Sequence, residues 1–243
     1  MMHLDVTEIR DFYSSRLGQT VRRYICQKIK QHWPDARGSA IAGVGFPTPY
    51  LRPYLLEAAQ VAAFHPAGQG GMIWPAEGPL RAALVDEDMF PLPDASFDRI
   101  IEIHGLEFFS DVEMHLKEIW RIMRPEGRLI LIVPNRSGLW AQMDTTPFGH
   151  GQPFSRGQLR DLLVRSWFRP LSIEPLVHFA PFETPLRLTA SPAIERIGAK
   201  VWPRFCGMLM VEAIKEVAQP IRPKGLKVSR VKTSPISISP VPA

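Results

Sequence analysis

Five consecutive aliphatic residues, Leu129-Ile130-Leu131-Ile132-Val133, stand between Gly127 and Pro134. A run that short, apolar at every position and closed by breakers at both ends, reads as a central strand buried on both faces. Such strands belong to parallel sheets with helices packed on either side. The run is far below the roughly 20 residues that cross a bilayer, so no transmembrane segment is expected. Residues 1–10 carry no apolar leader either, which points to an untargeted, cytoplasmic chain.

The flanking segments alternate between strand and helix patterns. Ile9, Phe12, Tyr13, Leu17, Val21, Tyr24, Ile25 and Ile29 recur at helical spacing and predict one or two leading helices over 9–33, interrupted near Gly18. Residues 39–44 form a short strand running into a tight turn at Gly43 and Gly45, and Thr48-Pro49 opens a helix over 50–59. After a second strand over 61–64 comes a connection with Pro66, Gly68, Gly70, Gly71, Pro75, Gly78 and Pro79, loop-rich where a helix is usual. Strands over 82–85 and 98–103 follow, then a helix with a Ser110/Glu113 capping box, stopped at 125–127. Past the central strand, a helix over 155–164, a strand over 171–177, a helix over 193–201 and a strand over 206–213 complete the pattern. The expectation is an α/β domain over 36–218 with a mostly parallel seven-stranded sheet, preceded by an N-terminal helical extension over 1–35 and carrying an insertion over 175–203. Trp74, Trp120, Trp167 and Trp202 are expected in the core.

The formal charge of +5 is unevenly placed. Arg222, Lys224, Lys227, Arg230 and Lys232 have no acid among them, so the rest of the chain is close to neutral. With its prolines and serines, 219–243 reads as a basic disordered tail, with docking on RNA or an anionic surface as the other reading. Cys26 and Cys206 stand far apart with no CxxC or Cys/His cluster, so neither a disulfide framework nor a metal site is expected.

Three motifs carry a resemblance. Asp86-Glu87-Asp88-Met89-Phe90-Pro91-Leu92-Pro93-Asp94-Ala95-Ser96-Phe97-Asp98 lies between the third and fourth strands, His104-Gly105-Leu106-Glu107 follows the fourth, and Arg121-Ile122-Met123-Arg124-Pro125-Glu126-Gly127 precedes the fifth. In order and spacing, from about 39 to 168, the chain resembles class I S-adenosylmethionine-dependent methyltransferases of the small-molecule kind called type 11. The resemblance implies a Rossmann-like methyltransferase fold and S-adenosylmethionine as cofactor, held by Gly43, Gly45, His65, Asp86, Glu87 and His104 outside the carboxyl ends of the strands. Asp86 takes the family's adenine-binding place, or is a solvated loop acid. The glycines let the backbone approach the methionine part, or make a plain tight turn.

The chain departs from the family at three places. Ile41 stands where an acid usually precedes the first glycine, Phe46-Pro47 replaces a small residue and the third glycine, and no acid closes the second strand, where Phe64-His65-Pro66 is found. His65 is the candidate substitute for the ribose-binding acid. One charge-assisted hydrogen bond lost there costs roughly 1.5 to 3 kcal/mol.

Methyl transfer from a sulfonium is an in-line displacement that needs positioning above all. His104 is the candidate general base for a hydroxyl or acidic carbon acceptor, with a capping or cofactor-wall role as the alternative. Arg136, Trp140 and His150, on the long segment leaving the fifth strand, either line an acceptor pocket or pack the loop; glycines beside His150 would let it act as a lid. The leading expectation is methyl transfer to a small, apolar molecule. The alternatives are a non-catalytic methyltransferase-like subunit working with a protein partner and, more weakly, an RNA methyltransferase; nucleic acid is not the expected partner, because no aromatic recognition motif accompanies the charge.

Truncation after Ala218 is expected to leave the melting temperature almost unchanged, since the tail offers little periodic apolar surface to a core. A loss of several degrees in a thermal unfolding scan would refute this.

Overall fold

The structure is a computed structural model that describes residues 4–181, 195, 197, 198, 201 and 205–217. The aliphatic run lies inside the longest strand, β5 (Met123–Pro134), and its neighbours follow from it. β5 pairs in parallel with β4 (Phe97–Ile103), which pairs in parallel with β1 (Ala40–Gly45). β1 pairs in parallel with β2 (Gln60–Pro66), and β2 with the edge strand β3 (Ala82–Val85). On the other side, β7 (Met208–Lys215) runs antiparallel to both β5 and β6 (Phe168–Leu176). The seven-stranded order is β3-β2-β1-β4-β5-β7-β6, so strand order reverses at β1, between β2 and β4. An open parallel sheet leaves a ligand crevice at such a reversal.

Alternation along the strands sorts the core into two layers. Ile41, Ile101, Ile103, Ile130, Ile132 and Met210 face one side, where Ile9, Tyr13, Val21, Ile25, Ile29 and Trp33 meet them from α1 (Val6–Ser14) and α2 (Arg16–His32). Ala42, Val44, Ile100, Leu129, Leu131 and Val211 face the other, where Leu116, Ile119, Leu159 and Leu163 meet them from α4 (Val112–Ile122) and α5 (Arg156–Arg165). Each fully buried aliphatic side chain contributes about 1.5–3 kcal/mol. No described helix is long and apolar enough to cross a membrane.

Several local expectations are corrected. The leading helices break at Ser15, whose hydroxyl caps α2 by accepting from the Gly18 amide. Gly18 sits within α2 for a different reason: a Cβ there would overlap the Phe12 carbonyl and lie 2.7 Å from Tyr13 Cα, so its absence lets α1 and α2 cross closely. The helix expected over 50–59 shrinks to α3 (Thr48–Leu51) and a 3₁₀ turn over Arg52–Tyr54, because Pro53 lacks the amide that a continuing helix needs. The cap of α4 is Asp111, not Ser110; it accepts from the Met114 amide, while Glu113 pairs with Lys117 at 2.8 Å and Arg165 at 3.2 Å. The Ser155/Gln158 capping box on α5 is complete. Trp74 is buried, Trp120 is half-buried, and Trp167 is 55% exposed, against the expectation that all belong to the core.

The C-terminal end of α2 is tied to the far strands. His32 lies 2.9 Å from Glu212 Oε2 and 3.1 Å from Glu174 Oε1, and Trp33 Nε1–H donates to Glu212 Oε1 at 3.2 Å. Arg128 Nη1 adds a contact of 2.9 Å to the same oxygen. Burial pushes the Glu212 pKa up, but His32, Arg128 and Trp33 outweigh it and hold the carboxyl below its ordinary value. Residues 195, 197, 198 and 201 of the expected helix over 193–201 are described and helical; residues 182–194, Trp202 and the tail over 219–243 lie outside the described residues.

Gly18→Val is expected to destabilise the protein by about 3 kcal/mol or more, since the clash is with backbone and no side chain can yield. Urea denaturation checks this, and a shift below about 1 kcal/mol would mean that the two helices do not cross this closely.

Candidate functional site at the ends of β1, β2 and β4

The reversal of strand order brings together the carboxyl ends of β1, β2 and β4, and with them Gly43, Gly45, His65 and His104. Gly45 has φ +85°, and a Cβ on it would overlap the Ile103 carbonyl and stand 2.8 Å from the His104 carbonyl carbon. Glycine is thus required there by the chain's own backbone. A valine would disturb the turn before it could obstruct any ligand.

A side chain that sequence reasoning counted as plain core covers these ends. Tyr13 of α1 stacks on Phe46 with ring centroids 5.6 Å apart and planes 2° from parallel. Tyr50 donates to the Tyr13 oxygen at 2.8 Å, which leaves the Tyr13 proton for His104 Nε2, also 2.8 Å away. Burial raises the pKa of both tyrosines, so both hydroxyls stay protonated. Phe148 packs on His104 at 4.5 Å between centroids. Such ring pairs contribute about 0.5–1.5 kcal/mol each beyond their buried area.

Gln69, from the loop after β2, closes the same space from the other side. Its side-chain amide donates to the His104 carbonyl at 2.9 Å, and its own carbonyl accepts from the Val6 amide at 2.9 Å. The cover is therefore held at both ends of α1. No motif marks Tyr13 or Gln69; the only signal for either was Tyr13's place on the apolar stripe of a helix.

Beneath this cover several buried polar atoms have no hydrogen-bond partner among the described residues: His65 Nε2, Gln69 Oε1, His104 Nδ1 and both Glu107 carboxylate oxygens. His65 Nδ1 lies 2.9 Å from the Gly45 carbonyl, which can only accept, so that nitrogen carries the proton and Nε2 is left as an acceptor. Burial lowers the His65 pKa despite the opposing Gly45 hydrogen bond, which keeps the imidazole neutral. His104 Nδ1 is 3.5 Å from Glu107 Oε1.

The remaining candidates are not gathered in one place. Asp86 is exposed, in an open groove of about 410 Å³ that it shares with Ala67, Gly68, Glu87, Asp88 and Met89. His150 lines a cleft of about 700 Å³ between α1 and the 144–150 loop, with Leu4, Phe12, Leu17 and Pro147 among its walls. Trp140 is buried below, its Nε1–H donating to the Phe179 carbonyl at 2.7 Å, whereas Arg136 is exposed and bonded to the Pro153 carbonyl at 3.2 Å. The segment after His150 is pinned, since the Gln152 amide donates to the Glu107 carbonyl at 2.7 Å. Among the described residues no group of His, Cys, Asp and Glu converges to hold a metal.

One more titratable pair lies on the opposite face of β4. Glu102, one residue out of phase with Ile103, points toward α4, where His115 Nε2 is 3.0 Å from its Oε1 and both side chains are fully buried. His115 Nδ1–H donates to the Glu87 carbonyl at 2.6 Å. Burial works against the charged imidazole, but Glu102 outweighs it and raises the His115 pKa. A raised value stabilises the fold fully below the unfolded pKa of about 6.5, and that contribution is lost as pH rises through the folded value. By NMR titration His115 is expected to have a midpoint above that of a free histidine, falling in Glu102→Gln. A midpoint at or below the ordinary value in the parent protein would dissolve the pair.

Residues 42–131 match the family model described as Methyltransferase domain, the stretch that runs from β1 through β5. A demethylmenaquinone methyltransferase of Deinococcus radiodurans is 40% identical over 65 residues, covering 26% of this chain and 27% of that protein. A probable S-adenosylmethionine-dependent methyltransferase of Mycobacterium tuberculosis is 31% identical over 90 residues, 36% of this chain and 32% of that one. The chain thus matches these relatives over about a third of their length or less. In three dimensions the likeness is wider: a crystal structure from Thermotoga maritima, described as a S-adenosylmethionine-dependent methyltransferase and possible histamine N-methyltransferase, superposes with a TM-score of 0.60 at 15% identity, covering 87% of this chain and 96% of that one. Residues 42–131 thus resemble the methyltransferase domain of that family model, and the described sheet has the fold of the S-adenosylmethionine-dependent methyltransferase structure on which it superposes.

Proposed function

We propose that the protein transfers a methyl group from S-adenosylmethionine to a small, apolar acceptor. The observation that carries this reading is the set of unpartnered acceptors, His65 Nε2 and Gln69 Oε1, at the carboxyl ends of β1, β2 and β4. A ribose presents hydroxyl donors, and a neutral histidine acceptor can take them where the family uses an acid. Asp86 would receive the adenine amino group in its open groove; Gly43 packs on Pro47 and Leu51 and Gly45 on the Ile103 and His104 backbone, so neither missing side chain opens space for the methionine part. The bound cofactor supplies an electrophilic methyl group on a sulfonium. The protein's own part is to position, to exclude water and to hold a proton acceptor, His104, whose Nε2 would be free to accept once the Tyr13 hydroxyl leaves it.

The cleft beside His150 sets an apolar wall of Leu4, Phe12, Leu17 and Pro147 beside the carboxylates of Asp5, Glu8 and Asp144, and the apolar wall would take the body of the acceptor. That one of the relatives is named a demethylmenaquinone methyltransferase supports an acceptor of this general kind without naming the one used here. A second reading, a non-catalytic subunit of methyltransferase fold, is favoured by one observation: Tyr13 on Phe46 and Gln69 on His104 fill the crevice with the chain's own side chains. The two readings differ in whether Tyr13 can leave.

Calorimetric titration with S-adenosylhomocysteine separates them. Weak binding is expected for the parent protein and, for Tyr13→Ala, binding at least about tenfold tighter, because the variant no longer spends free energy on displacing the ring. Circular dichroism shows whether the variant is folded. If both folded proteins give no heat at millimolar ligand, the crevice is a packed core and the non-catalytic reading stands.

A further inference from the structure

Four arginines converge on one cleft. Arg10 reaches it from α1, Arg22 and Arg23 from α2, and Arg52 from the 3₁₀ turn after α3, with Met72 and Trp74 of the loop between β2 and β3 on the facing wall. The cleft encloses about 570 Å³, and among the described residues no carboxylate lines it. Arg10 is partly neutralised by Asp11 at 3.0 Å. Among the described residues neither Arg22 nor Arg52 makes an ion pair, and the Arg23 guanidinium is bonded to the Gln19 carbonyl at 3.3 Å.

The arrangement is costly unless something negative completes it. Like charges on three separate elements repel, and nothing in the packing of α1, α2 and α3 requires arginine at these places. The core contacts of these helices are made by Tyr13, Val21, Ile25, Tyr50 and Leu51. Arg22 faces inward: its charge bears on the half-buried Cys26 and the buried Tyr13 and Tyr50, partly opposing the rise that burial gives their pKa values. Guanidinium forks match phosphate and carboxylate oxygens two at a time. The floor, formed by Tyr13 and Phe46, and the wall of Met72 and Trp74 are apolar and of a size for a small organic molecule. A concave site with apolar walls does not suit the extended backbone of a nucleic acid, which is tracked by a stripe of charge along a surface.

We infer that this cleft binds a small phosphorylated anion of two or more negative charges, its phosphate oxygens held by Arg22 and Arg52 and its organic part against Trp74 and Met72. The site is distinct from the adenine-end groove at Asp86 and shares only Tyr13 and Phe46 with the covered crevice. Its existence does not depend on methyl transfer.

The test uses inorganic pyrophosphate as the probe, titrated calorimetrically into the full chain at physiological ionic strength. Saturable binding is expected, weakened at least about tenfold in Arg22→Ala/Arg52→Ala and severalfold in Arg52→Ala alone. Arg160→Ala, which removes the same charge from α5 on the other face of the sheet, should bind as the parent does. Thermal unfolding of each variant confirms its fold, and the single Arg52 change, on an exposed side chain, serves if the double variant is unstable. No saturable binding by the parent would overturn the inference. So would equal weakening in Arg160→Ala, which reports charge alone, or binding of duplex RNA or anionic lipid vesicles that pyrophosphate fails to displace.

Discussion

Everything in this molecule depends on covering both faces of a parallel sheet whose middle strands are apolar throughout. In the expected alternation the cover on the β1 side would come from helices after β1 and after β2. Here the first is cut to one turn by Pro53 and the second is replaced by the glycine- and proline-rich connection over 67–80. α1 and α2 supply what is missing, and Ile9, Val21, Ile25 and Ile29 fill the layer over Ile41, Ile103 and Ile132. Because the leading helices must lie across the ends of β1 and β4 to do so, the residue at the end of α1, Tyr13, comes to rest on His104. The occlusion of the crevice is thus a by-product of how the core is completed.

Much of the fold was legible because strand signals here are short and well punctuated. The run at 129–133, the glycine turn at 43–45 and the three motifs between Asp86 and Gly127 placed five strands of the sheet, and β1 to β5 occupy those positions with ends shifted by at most two residues, except β5, whose start lies six residues before Leu129. Errors arose where a local rule met a tertiary one. Ser110 looked like a cap, but Asp111 has the side chain that reaches the Met114 amide. Gly18 looked like a helix break, and is instead the contact point of two helices.

The site was less legible, and for a physical reason. Motifs record residues that a chain presents from its strand ends, such as His65, Asp86 and His104, but say nothing about what another segment lays over them. Tyr13 and Tyr50 lie 91 and 54 positions from His104 in sequence and read as ordinary apolar members of their helices. The arginines of the cleft likewise read as solvated helix positions, since Arg10, Arg22, Arg23 and Arg52 are brought together only by the crossing of α1, α2 and the turn after α3. Charge is then sorted in space as composition could not show, with acids around the groove at Asp86 and arginines on the other side of the covered crevice.

The link between His32 and Glu212 spans 180 positions of sequence. During synthesis α2 precedes β6 and β7 by more than a hundred positions, so the ties from its last turn to Glu174 and Glu212 form only after those strands have followed it. At the usual pace of translation, about 5–20 residues per second, the 180 positions between His32 and Glu212 take some ten seconds or more. A nascent chain in that interval holds β1 to β5 but lacks the strand that joins β6 to them. Closure of the seven-stranded sheet therefore waits on β7, the last strand in sequence and the second-to-last in sheet order.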